Sequence, residues 1–167
     1  MGDPFSSTSR VMRGGFADPR RLPKGPNGRN RCRWCSLEVP ARRSTFCSDY
    51  CVSEWRLRTD PAYLREQVFA RDGGVCARCG LDTVAAWNRI RRLRTNRQAA
   101  ALASWGLRSA VRRVSLWDAD HIVPVVEGGG ECDLSNLRTL CLKCHREATL
   151  ALRQRLAGRD AASGPVS

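Results

Sequence analysis

The stretch LRTLCLKCHREATLALRQRLAG, residues 137–158, passes through three kinds of structure in quick succession. LRTLC reads as a short strand. CLKC sets Cys141 and Cys144 on one tight turn. HREATLALRQRLAG then reads as a helix, with Gly158 closing it. His145, Thr149, Leu152 and Leu156 fall at i, i+4, i+7 and i+11, one stripe of that helix, so His145 points inward from its first turn. Two thiols on one turn fill only half of a tetrahedral set, so the reading moves outward to find the rest.

The nine cysteines supply it. Cys76 and Cys79 of CARCG pair with Cys141 and Cys144 across 61 intervening residues. Upstream, CRWCSLEVPARRSTFCSDYC holds Cys32, Cys35, Cys47 and Cys51 as Cys-x2-Cys, an eleven-residue gap with Pro40 in its loop, and Cys-x3-Cys. Zinc takes four soft ligands in a tetrahedron, and each close pair presents two sulfurs to one ion. In a reducing compartment such pairs point to metal more than to disulfides. Two structural zinc ions are therefore expected, and the split site would pin two distant segments that a small core cannot hold alone. Cys132 is left over and reads as a plain thiol.

The charge points to the partner. The chain has 167 residues, a formal charge of +13 and a pI near 10.4. Its basic residues are 27 arginines against two lysines, Lys24 and Lys143. Eight thiolates and two zincs change the sum by −8 and +4, leaving +9, still strongly basic. Arginine's planar fork suits phosphate, so nucleic acid is the expected partner. No apolar run is long enough to span a membrane and the N-terminus lacks a secretory apolar core, so no membrane partner is expected. The expected location is cytoplasmic, at the nucleoid if the source is bacterial.

Composition divides the chain. Residues 1–31, rich in Gly, Pro, Ser and Arg, read as a disordered basic arm. Residues 32–59 form the four-cysteine unit, with Ser48 as N-cap of a helix. Residues 60–75 form a connecting helix, with Asp60 as N-cap, Leu64, Val68 and Phe69 as its buried stripe, and Gly73-Gly74 ending it. Residues 76–158 make the second unit, and 159–167 a disordered tail. Within the second unit, 83–117 is a helical insert with eight arginines and no acidic residue. Arg89, Arg91, Arg92, Arg94, Arg97, Arg112 and Arg113 are its candidates for tracking phosphates. Trp87 and Trp105 read as core, with base stacking as the alternative.

VSLWDADHIV reads as a strand up to His121, and Pro124 and Gly128 to Gly130 open a loop running on through ECDLSN. The order is strand, long loop, strand, helix, with one histidine ending the first strand and the other starting the helix. Asp120-His121, Asn136 and His145, framed by the two Cys-x2-Cys pairs, resemble an HNH endonuclease of the ββα-metal class. DHIVPVVEGGG, LSNLRTLC and CHR are similar to that family's pattern over about residues 68–157. The longer arrangement, with the upstream four-cysteine unit, is similar to some bacterial HNH proteins and to the nuclease end of an annealing helicase acting on stalled forks. The resemblance implies a small zinc-stabilised α+β fold: a ββα-metal, treble-clef-like core beside a zinc knuckle. The family often carries a lysine soon after its third motif residue, where this chain has Glu147 and Ala148.

The chemistry expected there is phosphodiester hydrolysis. It needs an activated water and a stabilised transition-state charge. Histidines titrate near neutral pH, so His121 suits a general base. Asp120 and His145 suit a catalytic divalent cation, Mg²⁺ or Mn²⁺, acting as Lewis acid. Asp120 would point away from His121, as neighbours in a strand do. Asn136 suits tying the loop, and Arg138 or Arg146 contacting the scissile phosphate. Expected partners are DNA of unspecified form and, on the resemblance, a helicase or other repair or defence proteins. The alternative is a catalytically silent, zinc-built nucleic-acid-binding module.

Overall fold

The computed structural model describes residues 17–107, 115–130 and 133–162, in two compact units divided between Leu64 and Arg65. The expected membership of Arg112 and Arg113 in a phosphate-tracking surface, and of Cys132 as a plain thiol, lies outside the described residues.

The first unit is built on its cysteines. Cys32, Val39 and Cys51 are buried together, with Trp34, Phe46 and Cys47 packed on them. Helix α1, Asp49–Thr59, starts where the Ser48 side chain accepts the Cys51 N–H, so the cap and a metal-site thiol share one turn. Arginines lie on the aromatic faces: Arg33 over Trp55 at 4.1 Å and Arg58 over Trp34 at 4.3 Å.

The expected disordered arm is corrected for residues 17–31. Arg31 N–H donates to the Pro23 carbonyl (2.7 Å), Val39 N–H to that of Asn30 (2.9 Å), and Arg31 bridges to Glu38. Buried Asn30 donates to the Ser44 carbonyl and accepts from Lys24. Glu38 accepts from the backbone and side chain of Asn27. A segment poor in large apolar residues is thus ordered by polar bonds to the knuckle, which composition does not reveal.

The second unit opens in helix α2, Pro61–Asp72, and Asp60 caps it by accepting from Ala62 and Tyr63 N–H. Of the expected stripe Val68 is buried, Leu64 is half-buried, and Phe69 is exposed on one side while stacking on Trp117. The insert forms α3, Thr83–Arg91, and α4, Thr95–Ser104. Ala86, Ile90 and Leu102 pack with Leu116 and Leu142, and Trp87 and Trp105 lie against this cluster, which makes both tryptophans core. Arg89, Arg91, Arg92, Arg94 and Arg97 are exposed.

Strands β1, Trp117–His121, and β2, Leu137–Cys141, pair antiparallel, with Asp120 opposite Arg138 and His121 opposite Leu137. β2 runs straight into α5, Leu142–Ala162. Thr139, at the buried centre of β2, gives its N–H and hydroxyl to the Asp72 carboxylate (3.0 and 2.9 Å). Arg71 reaches the carbonyls of Leu134 and Leu137. The end of α2 is therefore stitched to the second strand.

Gly158 does not close α5, and residues 159–162 are helix instead of disordered tail. Arg159, in the turn past Gly158, is bonded to Glu127 (2.8 Å), a tertiary contact that carries the helix through its glycine.

Candidate active site

The loop after β1 is shaped by Asn136. Its side-chain oxygen accepts the Val123 N–H (2.8 Å), and its amide donates to the carbonyls of Val123 (2.9 Å) and Gly129 (2.6 Å). Its backbone carbonyl accepts from Ile122 (2.7 Å). One asparagine so closes residues 122–130. Glycine is required at 129, where a Cβ would collide with the Val123 carbonyl, and Gly128 takes the left-handed conformation (φ 88°) that ends the turn Val125–Glu127. Glu127 is bonded by Arg155 and Arg159 of α5, and these guanidiniums hold its carboxyl below the usual carboxylate range.

A cavity of about 650 Å³ lies between this loop, the hairpin and α5. Asp120, His121, Pro124, Arg138, Thr149 and Leu152 are among its lining residues. Asp120 and His121 both reach it, although neighbours in a strand alternate faces, because the cavity lies at the end of the hairpin where the two faces meet.

His145, at the start of α5, stands between two carboxylates of β1. Its Nε2 is 3.7 Å from Asp120 Oδ1, and its Nδ1 is 3.6 Å from Asp118 Oδ2. Asp118 and Asp120 share a strand face through the two-residue period. Each is held from the other side. Arg138 donates from Nε and Nη2 to Asp120 Oδ2 (3.0 and 2.9 Å), and Arg65 donates to Asp118 Oδ1 (3.0 Å), Ser115 and the Trp117 carbonyl. Arg65 also lies 4.0 Å over the Trp117 ring. The series Arg65–Asp118–His145–Asp120–Arg138 leaves Asp120 Oδ1 facing His145 Nε2. Two such donors 3.7 Å apart can both sit about 2.1 Å from one divalent ion.

Arg138 lines the cavity, whereas Arg146 reaches back over Gly106. Arg78, Glu147 and Arg155 line it too and were not expected from sequence as site residues, nor was Asp118. Asp118 carries a readable signal, the i, i+2 repeat in DAD. Arg78 has none beyond lying between two cysteines.

Beside the cavity, Cys76, Cys79, Cys141 and Cys144 bring their sulfurs within 4.8 Å of one another, and so do Cys32, Cys35, Cys47 and Cys51 in the first unit. Cys79 and Cys141 sulfurs are 3.9 Å apart. Four sulfurs about 2.3 Å from one zinc would stand about 3.8 Å apart. Burial opposes the Cys76 thiolate, but backbone N–H groups of Cys141, Cys79 and Arg78 outweigh it and bring its pKa to about 6. The same balance brings Cys32 to about 7. Burial raises Cys144 instead, and the neighbouring thiols add to the rise. Both groups are suited to hold zinc.

A paired hairpin and helix surround an Asp-His strand end, with Asn136 closing the loop and a four-cysteine cluster behind, a ββα arrangement. The model of the HNH endonuclease family matches residues 108–149 of the chain. Among curated proteins it is similar to the DNA annealing helicase and endonuclease ZRANB3 of Mus musculus, 39% identical over 130 residues, and to those of Bos taurus (37% over 117) and Homo sapiens (35% over 117). These alignments cover 69%, 64% and 64% of this chain, but 12%, 11% and 11% of the relatives, so the chain spans about an eighth of their length. The crystal structure of the human ZRANB3 HNH domain matches with a TM-score of 0.45 and 29% identity, covering 60% of this chain and 97% of that one.

Proposed function

We propose that this protein is a metal-dependent DNA endonuclease that hydrolyses phosphodiester bonds in the cavity at the end of the β1–β2 hairpin. The observation that carries the reading is Asp120, which lines the cavity together with His121 and has its Oδ1 3.7 Å from His145 Nε2 at the start of α5. A divalent cation held by these two donors, Mg²⁺ or Mn²⁺, would supply Lewis-acid stabilisation of the developing phosphate charge. Asp120 is oriented for this by Arg138 on its second oxygen, and His145 by Asp118 on its second nitrogen. An unprotonated ring nitrogen of His121 takes the proton of the attacking water. Asn136 keeps the loop after His121 in place, and Arg138 holds positive charge at the cavity wall. The exposed arginines of α3 and its C-terminal turn track the backbone on either side. The names of the relatives, helicase and endonuclease acting on DNA, support DNA as substrate and a helicase as partner.

The test is nicking of supercoiled plasmid with Mg²⁺ or Mn²⁺. His121→Ala should keep both zincs and bind DNA like wild type, yet nick about 10²–10⁴-fold more slowly, the usual worth of a general base. His145→Ala should also lose activity, and excess Mn²⁺ should recover part of it. Wild type that nicks no DNA form with either ion would sink the nuclease reading and leave a zinc-built DNA-binding module.

A further inference from the structure

Among the described residues three arginines line the cavity, Arg78, Arg138 and Arg155, and each faces an acid. Two of the acids are engaged elsewhere. Asp120, the partner of Arg138, also faces His145. Glu127, the partner of Arg155, is shared with Arg159 and fastens the loop to α5; its side chain is only 15% exposed. The third pair is different. Arg78 meets Glu147 through one contact, Nη1 to Oε2 at 3.0 Å, with side chains 52% and 61% exposed. A single-contact pair in water is heavily screened and holds weakly. A phosphodiester offers the planar guanidinium two oxygens at once, a stronger pairing.

We infer that Arg78 binds a backbone phosphate of the strand entering the cavity, and that Glu147 occupies its guanidinium until that phosphate displaces it. The inference rests on the nuclease reading for the ligand's class, a phosphodiester of DNA. The base of Arg78 is fixed while its tip is free to change partner. Ala77 N–H donates to the Thr139 carbonyl (2.9 Å), next in sequence to Arg138, so the two arginines share a wall. The turn itself is closed by Cys76 N–H to Leu81 and Gly80 N–H to Cys76 (both 2.9 Å), and by the cysteine cluster on either side of Arg78. Nucleic acid binding is thereby coupled to the zinc turn: the residue between two metal-site cysteines reaches into the reaction cavity.

The experiment uses the full, zinc-loaded chain and a fluorescein-labelled DNA with a paired stem and single-stranded arms, titrated over a salt series without added divalent ion. Arg78→Ala should lower the log–log salt slope by about 0.7–0.9, one phosphate contact. Plasmid nicking by it should fall about 10–100-fold in kcat/KM, with part restored by Arg78→Lys. Glu147→Gln should tighten DNA binding several-fold, and that gain should vanish in the Arg78→Ala background. Zinc content is measured for every variant. Should Arg78→Ala lose zinc, Arg78→Gln keeps a polar side chain on the turn without the charge and carries the same test. An unchanged slope in a zinc-replete Arg78 variant overturns the inference. So does a Glu147→Gln gain that persists without Arg78, since it would be a general charge effect. If wild type binds DNA but nicks nothing, the nuclease reading fails while the slope and the coupling still decide the role of Arg78.

Discussion

At the scale of single residues, His145 is set by what stands on each of its nitrogens. Asp120 faces Nε2 and Asp118 faces Nδ1, and Arg138 and Arg65 hold the two carboxylates from behind. A histidine whose far nitrogen faces a carboxylate presents the other nitrogen in one tautomer and one orientation, an arrangement common around metal sites. Asp118, two residues before His145's other partner on the same strand, is therefore expected to position His145. Asp118→Asn should weaken Mn²⁺ binding about 10–100-fold, measured by titrating the ion against its electron paramagnetic resonance signal. DNA affinity without divalent ion should stay within about twofold, a margin set by leaving the phosphate contacts intact. Equal Mn²⁺ affinity in the variant and wild type would reduce Asp118 to a partner of Arg65 alone.

At the scale of elements, the hairpin is short and its position depends on α2. Asp72 ends that helix and accepts both donors of buried Thr139, while Arg71 binds the carbonyls of Leu134 and Leu137. Arg71 first, then the Thr139 donors, outweigh burial and hold the Asp72 carboxyl below its usual range. Asp72→Ala leaves two buried donors without their acceptor and should cost about 1–3 kcal/mol in urea denaturation. The depressed carboxyl fixes the sign with pH. Its contribution is complete above the unfolded value of about 3.9 and is lost as pH falls through the lower folded one. The difference between wild type and Asp72→Ala should therefore be flat from about pH 5 to 8 and shrink only below about 4. A difference that grows toward acid would contradict this account.

At the scale of the molecule, two cysteine clusters organise two units, each around a small core. The second joins residues separated by 61 positions, which a core of this size would not hold together alone. Elemental mass spectrometry should find two zincs per chain. Cys47→Ser should lose one and keep nicking activity, since its cluster lies in the other unit from the cavity. Cys79→Ser should lose the other zinc and, with it, nicking and the cooperative unfolding of the second unit. A wild-type value near one zinc would refute the two-site assignment.

Much of this was legible in the chain itself, for a physical reason. Zinc-binding thiols often come in close pairs, caps precede helices and left-handed turns favour glycine, so Cys76-x2-Cys79, Ser48, Asp60 and Gly128–Gly130 announce themselves locally. The strand–loop–strand–helix order around His121 and His145 is local in the same sense. What folding alone decided is long-range and polar. Residues 17–31 bury only Leu22 among their large apolar residues and are ordered mainly through bonds to Glu38 and Ser44, so composition misread them as disordered. Helix α5 outlasts Gly158 because Arg159 finds Glu127. Arg78 meets Glu147 of α5, Arg65 meets Asp118 of β1 and Asp72 meets Thr139 of β2 only when these elements are brought together. Spacing along a sequence fixes which atoms can share an ion or a turn; which charges meet across the fold depends on tertiary distances that no local pattern encodes.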